Sequence, residues 1–467
     1  MPYSIPSTRS IASTSETRRR LAFWIVLAGC LFAFAWPPRE ALATQAPPTG
    51  DEARAVVEAL RDVLDRDYVD GAKAELLRAA LRDRFEAGRY ASAGTVAELA
   101  ARLTTDLVEL SGDLHFHVVV DPDWVAASTH AAADQSAHER EQELADQRSR
   151  QNNYGLRDVA LLEGDIGYLN LTEFADPEAA DELVAAAMQL LASRQALILD
   201  LRFNNGGYLE MAQLLCSYFL RSVPSQRLFE TSDLENGERL ERTQWVLPSV
   251  PGDRMPEMPL YVLTSNTSFS AAEWFAFVLK NLGRATVVGE TTAGGAHPVQ
   301  RRALNDRFVL QVPTGAVRDG VLGTDFEGTG VEPDVAASSA AALHVAHRLA
   351  LEWLRDDPAQ DSVRRARAEW FLTVVAARLE PPRLDPAVLD GLPGAYGSRH
   401  ILREGDVLYY SWDGEGRVRL VPLGGALLGF EGLDELRLRV VTEDDVVTGY
   451  ERLGLDGSHR FVAKTHF

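Results

Sequence analysis

Apolar residues recur three and four positions apart through the first ordered-looking stretch of the chain. Val56, Leu60 and Leu64 form one stripe, and Leu99, Leu103, Leu107 and Leu110 form another. That spacing keeps side chains on one face of a helix, so a small helical bundle is expected over residues 50–120. Gly88-Arg89-Tyr90 and residues 92–95 supply its internal break, and Ser111-Gly112-Asp113 ends it before an extended run at 115–120. Residues 121–154 lose the pattern and read as a charged linker or an exposed helix. From Val159 the pattern changes again. Strands at 166–171, 196–201, 260–264 and 285–289 alternate with helices at 177–193, 208–220 and 270–281. The second and fourth strands are apolar almost throughout, as strands buried on both faces are. Strands alternating with helices predict parallel β-α-β units, hence an α/β core over residues 155–345. Helical stretches at 340–354 and 362–379 supply a connector over 346–380. Short alternating runs at 407–412, 417–421 and 436–441, with turn signals at Glu404-Gly405-Asp406, Asp413-Gly414 and Asp456-Gly457, predict a small antiparallel β domain over 381–467.

Composition narrows the function classes. The formal net charge is -21, which opposes nucleic-acid binding because phosphate contacts need a surplus of Lys and Arg. The only lysines are Lys73, Lys280 and Lys464, and the only cysteines are Cys30 and Cys216. Two cysteines build neither a disulfide framework nor a cysteine-rich zinc site. Residues 1–43 have the order of an export signal: basic Arg18-Arg19-Arg20, an apolar run at 21–36, then Ala41-Leu42-Ala43 for cleavage. Leu27-Ala28-Gly29-Cys30 resembles a lipoprotein box, and lipid on Cys30 would be the chain's route to a membrane. The expected location is therefore periplasmic or extracellular.

Candidate chemistry sits in three places. Ser270 opens a helix directly after a buried strand, where the helix dipole and free N–H groups favour an oxyanion. Ser270-x-x-Glu273 is equally a capping box, which needs no catalysis. Asp200-Leu201-Arg202-Phe203-Asn204-Asn205-Gly206-Gly207 follows the other buried strand, and its glycines can turn N–H groups toward an anionic oxygen or simply make a turn. Asp113-Leu114-His115-Phe116-His117 and the segment from Phe326-Glu327 to Glu332-Pro333-Asp334 supply a base and a base-orienting carboxylate only if the fold brings them to the serine.

Taken together, Asp200–Gly207, Ser270–Glu273, Val288-Gly289-Glu290-Thr291-Thr292 and Gly330-Val331-Glu332-Pro333-Asp334 resemble, in order and spacing, the C-terminal processing protease family. The resemblance implies a crotonase-like β-α superhelix as core and Ser270 as nucleophile. It departs from the tail-specific branch twice. The lysine of that branch's Ser/Lys dyad would fall at Gly295, and Lys280 lies ten residues along the helix from Ser270, about 15 Å away. Residues 121–153 are too few for a PDZ domain. The chain is similar instead to the branch of tricorn protease and the repeats of interphotoreceptor retinoid-binding protein. That branch implies a histidine from the preceding domain and a glutamate before the Gly-Val-x-Pro-Asp motif, which map onto His115 and Glu327. Tricorn protease has a serine just before its histidine, where this chain has Leu114, and His117 is the rival to His115.

The resulting expectation is an exported serine peptidase acting on polypeptides. Ser270 attacks, His115 moves the proton and Glu327 orients the imidazole. The oxyanion is held by N–H groups among Gly206, Gly207 and Ala271, with His117 and His297 near the cleft. The mechanism calls for no metal or cofactor. A binding protein for an apolar ligand and a serine esterase are the alternatives; oligomeric state is not legible.

Overall fold

The computed structural model describes residues 46–131, 146–235, 238–412 and 415–465. The expected export signal, Cys30, the Asp413-Gly414 turn and part of the expected linker lie outside them. The chain forms two compact units. One runs to Val159 and takes in Tyr168–Ser193 and Leu199–Ser339; the other comprises Ala160–Gly167, Arg194–Ile198 and Ala340–Phe467.

The first unit begins with helices α1 (Gly50–Asp67), α2 (Gly71–Glu86) and α3 (Val96–Ser111). Thr49, Asp70 and Thr95 cap their N-termini by accepting from Glu52, Lys73 and Glu98 N–H groups, each cap worth about 1 kcal/mol. The apolar stripes are buried, except that Leu110 is exposed and Ser111 takes the buried place one turn beyond Leu107. These helices share one core with β1 (His117–Val120) and with Leu304, Phe308, Leu310 and Val312 from far along the chain. Helix α4 (Pro122–Ala131) follows.

The α/β region then runs β2 (Leu156–Leu162), β3 (Ile166–Leu171), α5 (Pro177–Leu191), β4 (Ala196–Asp200), α6 (Leu209–Phe219), β5 (Arg227–Glu235), β6 (Glu238–Trp245), β7 (Leu260–Thr264), α7 (Ala271–Asn281), β8 (Thr286–Gly289), β9 (Val299–Ala303), β10 (Phe308–Pro313), β11 (Ala316–Asp319) and β12 (Val335–Ala336). Six strands form a sheet in the order β12-β8-β7-β4-β3-β2, with β7, β8 and β12 parallel. Every residue of β4 is buried, and β8 is buried from Val287 to Gly289, as their apolar runs predict; β7 is buried throughout as well. Two further sheets form, β1-β10-β9 and β11-β5-β6; of their strands only β1, within the extended run at 115–120, was among the expected elements. Strand β6 is exposed at nearly every position, so no buried face leaves an alternation to read.

The second unit contains helices α8 (Ser339–Asp356), α9 (Ser362–Leu379) and α10 (Pro386–Gly391). Eight antiparallel strands follow, from Gly394–Tyr396 to His459–Ala463, each bonded to the next in sequence. After the last strand, Thr465 N–H donates to the Ala395 carbonyl at 2.8 Å, so the sheet curls back toward its first strand as a near-barrel. Its core holds Tyr396, Tyr410 and Tyr450 among Leu392, Ile401, Leu408, Leu428 and Leu438. The fold is mixed α/β with a C-terminal antiparallel sheet.

Candidate active site

Ser270 stands where β7 gives way to α7, with φ 56 and ψ -122. Such a conformation costs a non-glycine residue about 1–3 kcal/mol and persists only where the surroundings impose it. Here they do. Ser270 N–H donates to Glu273 Oε2 at 2.8 Å, and Phe269 N–H donates to the Asn204 carbonyl at 3.0 Å. A Cβ on Gly206 would lie 2.6 Å from Ser270 Cβ, and Gly206 has φ +97. Only glycine lets the two loops approach this closely.

Glu273, fully buried, ties a third segment to the serine turn. Its Oε2 accepts from Ser270 and Gly295 N–H groups, and its Oε1 from Gly294 N–H and the Thr292 hydroxyl. Thr292 Oγ1 itself accepts from Val331 N–H at 2.7 Å, which leaves its proton for Glu273. Burial pushes the Glu273 carboxyl above its ordinary pKa against the pull of these bonds. All four partners donate, so the cage fits the carboxylate.

His115 arrives from α3, three residues after the left-handed cap Gly112. Its ring centroid is 4.5 Å from that of Phe269, the residue before Ser270. The side chain is 6% exposed, and neither ring nitrogen has a hydrogen-bond partner among the described residues. The carboxylate beside it is Asp113, whose Oδ1 is 3.5 Å from His115 Nδ1 and accepts from His115 N–H. Asp113 Oδ2 lies 2.7 Å from His297 Nδ1, and that nitrogen lies 3.6 Å from Glu327 Oε2. Glu327 also accepts from Ala296 N–H at 2.7 Å. The groups thus form a row: His115, Asp113, His297, Glu327.

This row departs from the expected arrangement. The carboxylate against His115 is Asp113, while Glu327 stands on the far side of His297. Asp113 takes the place because it is two residues away in one tight turn, where it caps the His115 backbone. The Asp-x-His spacing was visible in the sequence, but an aspartate just past a helix end reads first as a turn residue. Burial raises the Asp113 carboxyl, but the His115 imidazole 3.5 Å away and the bond to His297 outweigh it and hold it low. Burial, then the Asp113 charge, raises Glu327. Burial lowers His297, yet the bond to Asp113 and the neighbouring carboxylates leave it above its ordinary value.

His117 lies in β1 opposite Gln311. Burial, with His115 near, holds its imidazole down to about 4. A Cβ on Gly295 would lie 2.1 Å from Phe269 Cε2 and 2.8 Å from His115 Cε1, so these two rings fill the space a lysine there would need. Lys280 donates to the Glu332 carbonyl and pairs with Asp334 at 3.1 Å.

The oxyanion loop needs one correction. Gly206 N–H donates to the Asn204 side-chain carbonyl at 2.8 Å in a buried bond, so it is taken. The Gly206 carbonyl and Tyr208 N–H both bond Phe174, which turns the intervening Gly207 N–H the other way. Gly207 and Ala271 N–H groups have no acceptor among the described residues.

Residues 165–337 match the family model of peptidase family S41, and residues 43–152 match that of the N-terminal domain of peptidase S41 in eukaryotic IRBP. A carboxy-terminal-processing protease of Bartonella bacilliformis is 30% identical over 182 residues, 37% of this chain and 39% of that one. The tricorn protease of Thermoplasma volcanium is 30% identical over 172 residues, 37% of this chain and 14% of that one. A lipoprotein of Streptococcus agalactiae of solved structure is 18% identical, covering 66% of this chain and 98% of that one at a TM-score of 0.42. The chain therefore spans well under half the length of the two proteases.

Proposed function

We propose that this chain, which belongs to peptidase family S41, is a serine-type peptidase that cleaves polypeptides with Ser270 as nucleophile and His115 as base. The observation that carries the reading is the His115 imidazole, buried beside Phe269 in the space a lysine at 295 would fill, with Nδ1 3.5 Å from Asp113 Oδ1 and Nε2 without a hydrogen-bond partner among the described residues. With Nδ1 held toward Asp113, Nε2 is free to take a proton.

Ser270 Oγ attacks the scissile carbonyl carbon as its proton passes to His115. The tetrahedral oxyanion is held by the N–H groups of Gly207 and Ala271, at the positive end of α7. His115 then gives its proton to the leaving amine, which departs as the acyl-enzyme forms. Water repeats the sequence and frees Ser270. Asp113 orients His115 and stabilises the imidazolium. Glu327, the expected orienter, acts at longer range and sets His297 and the Ala296 backbone.

For the core we propose the crotonase-like superhelix, supported by the βα alternation from β3 to β8. Export is proposed from the basic, apolar and Ala-x-Ala order of residues 18–43; a native start near Thr44 by mass spectrometry supports it, and an intact Met1 overturns it. Among the described residues no helix is long and apolar enough to cross a membrane.

The deciding experiment is fluorophosphonate labelling of the wild type beside Ser270→Ala, followed by peptide and ester turnover. Labelling of the wild type alone, with peptide turnover, is expected. An unlabelled wild type makes the chain a binding protein, and turnover confined to esters makes it an esterase.

A further inference from the structure

Strand β6 stands at the end of its sheet. The order is β11-β5-β6, so β5 takes one edge of β6 and the other edge meets no strand among the described residues. Residues 238–243 are all exposed. An open edge of this kind is a row of N–H and C=O groups without ladder partners, which a further extended strand completes.

Proteins commonly guard such an edge with charged side chains. Charges of one sign would repel a second copy of the chain. Here the order is Glu238-Arg239-Leu240-Glu241-Arg242, which read backwards is its own electrostatic complement. An antiparallel second copy, related by a two-fold axis at Leu240, sets Glu238 against Arg242, Arg239 against Glu241 and Leu240 against Leu240. Arg239 Nη1 reaches back only as far as Ser232 Oγ, at 3.3 Å within the same hairpin.

The backbone permits few other registers. Alternate residues of a strand turn their N–H and C=O groups to the same edge, so two copies mate only with residues of equal parity opposed, and the axis must pass through a residue. Opposite charges facing each other across a ladder stabilise it, and like charges destabilise it. An axis at Glu238, Arg239, Glu241 or Arg242 sets that residue against its own charge. An axis at Thr243 sets Arg242 against Gln244 and Glu241 against Trp245, which makes no ion pair. Leu240 is the centre that pairs every charge of the run with its opposite.

We propose that the outer edge of β6 is an interaction surface for a second copy of this chain, which adds antiparallel about Leu240 and joins two three-stranded sheets into one continuous sheet. The paired stretch is short and its ion pairs are solvated, so the association is weak, with a dissociation constant in the micromolar range.

Sedimentation velocity of the full-length chain over a concentration series is expected to show a monomer–dimer equilibrium. Arg239→Glu and Glu241→Arg each oppose like charges at both symmetric positions, and each should weaken dimerisation at least tenfold. The double variant should dimerise as the wild type does, and so should an equimolar mixture of the two single variants, because both arrangements restore opposite charges. Directly opposed residues stand about 4.5–5.5 Å apart at Cα, within disulfide reach. Leu240→Cys should therefore cross-link two chains on oxidation, and Thr243→Cys should not. Native circular dichroism in every variant separates lost pairing from lost folding. A monomer at every concentration overturns the proposal. A dimer indifferent to both single reversals, a mixture that stays monomeric, or cross-linking at position 243 in place of 240 overturns it as well.

Discussion

At the scale of the residue, two histidines two positions apart meet different fates. His115 is buried against Phe269 with Nδ1 beside Asp113 and Nε2 without a hydrogen-bond partner among the described residues, whereas His117 is a strand residue paired with Gln311. His115→Ala is expected to reduce peptide turnover on the order of 10⁴-fold, the typical effect of deleting a triad member. His117→Ala should leave it within a few-fold; steady-state kinetics of both variants separate the two, and the reverse pattern transfers the role to His117. His297 carries a pH prediction. Its folded pKa is raised above the ordinary 6.5, through the bond to Asp113 and the charges of Glu327 and Asp113 overcoming burial. Its contribution to stability is therefore full below about 6.5 and is lost as pH rises through the raised value. Urea midpoints should fall more steeply above that pH for the wild type than for His297→Gln. Parallel curves would show that the pair adds nothing.

At the scale of the element, the serine turn works because three loops are fastened to one another. The β4–α6 loop approaches through Gly206, and the segment after β8 is held by the bonds of Glu273. Gly206→Ala puts a methyl 2.6 Å from Ser270 Cβ, so labelling by a fluorophosphonate is expected to be lost while circular dichroism stays native. Glu273→Gln turns an amide N–H₂ toward groups that themselves donate. A loss of about 3 kcal/mol is expected from leaving buried donors unmatched, read as a lower urea midpoint, together with depressed turnover. Normal stability in that variant would mean that the cage tolerates a neutral side chain.

At the scale of the whole molecule, the two units have separate cores, one centred on α1–α3 with β10 and the other on the tyrosines of the C-terminal sheet. Every proposed catalytic group lies in the first unit. Tyr450, 1% exposed in the second core, provides the test of independence. Tyr450→Ala should destabilise its unit by about 3–5 kcal/mol, as large aromatic deletions do. Probe labelling at low temperature should be unchanged, and a drop there would tie the sheet to catalysis.

Local pattern carried much of this protein. The apolar runs of β4 and β8 and the stripes of α1 and α3 are legible because burial on both faces, or on one helical face, leaves a record along the chain. The setting of Ser270, the proposed nucleophile, was legible too, since a serine between a buried strand and a helix is placed by the pattern on either side of it. Strand β6 left no such record, being exposed at nearly every position, and β5 buries the adjacent pair Leu228 and Phe229 rather than alternate residues. Nor could spacing show that Gly206 N–H is already taken by Asn204, that Asp113 rather than Glu327 stands against His115, or that His297 joins them. Those facts depend on residues as much as 214 positions apart, from Asp113 to Glu327, meeting around one pocket. Side-chain hydrogen bonding is decided by distances of tenths of an ångström, which only the packed tertiary structure sets.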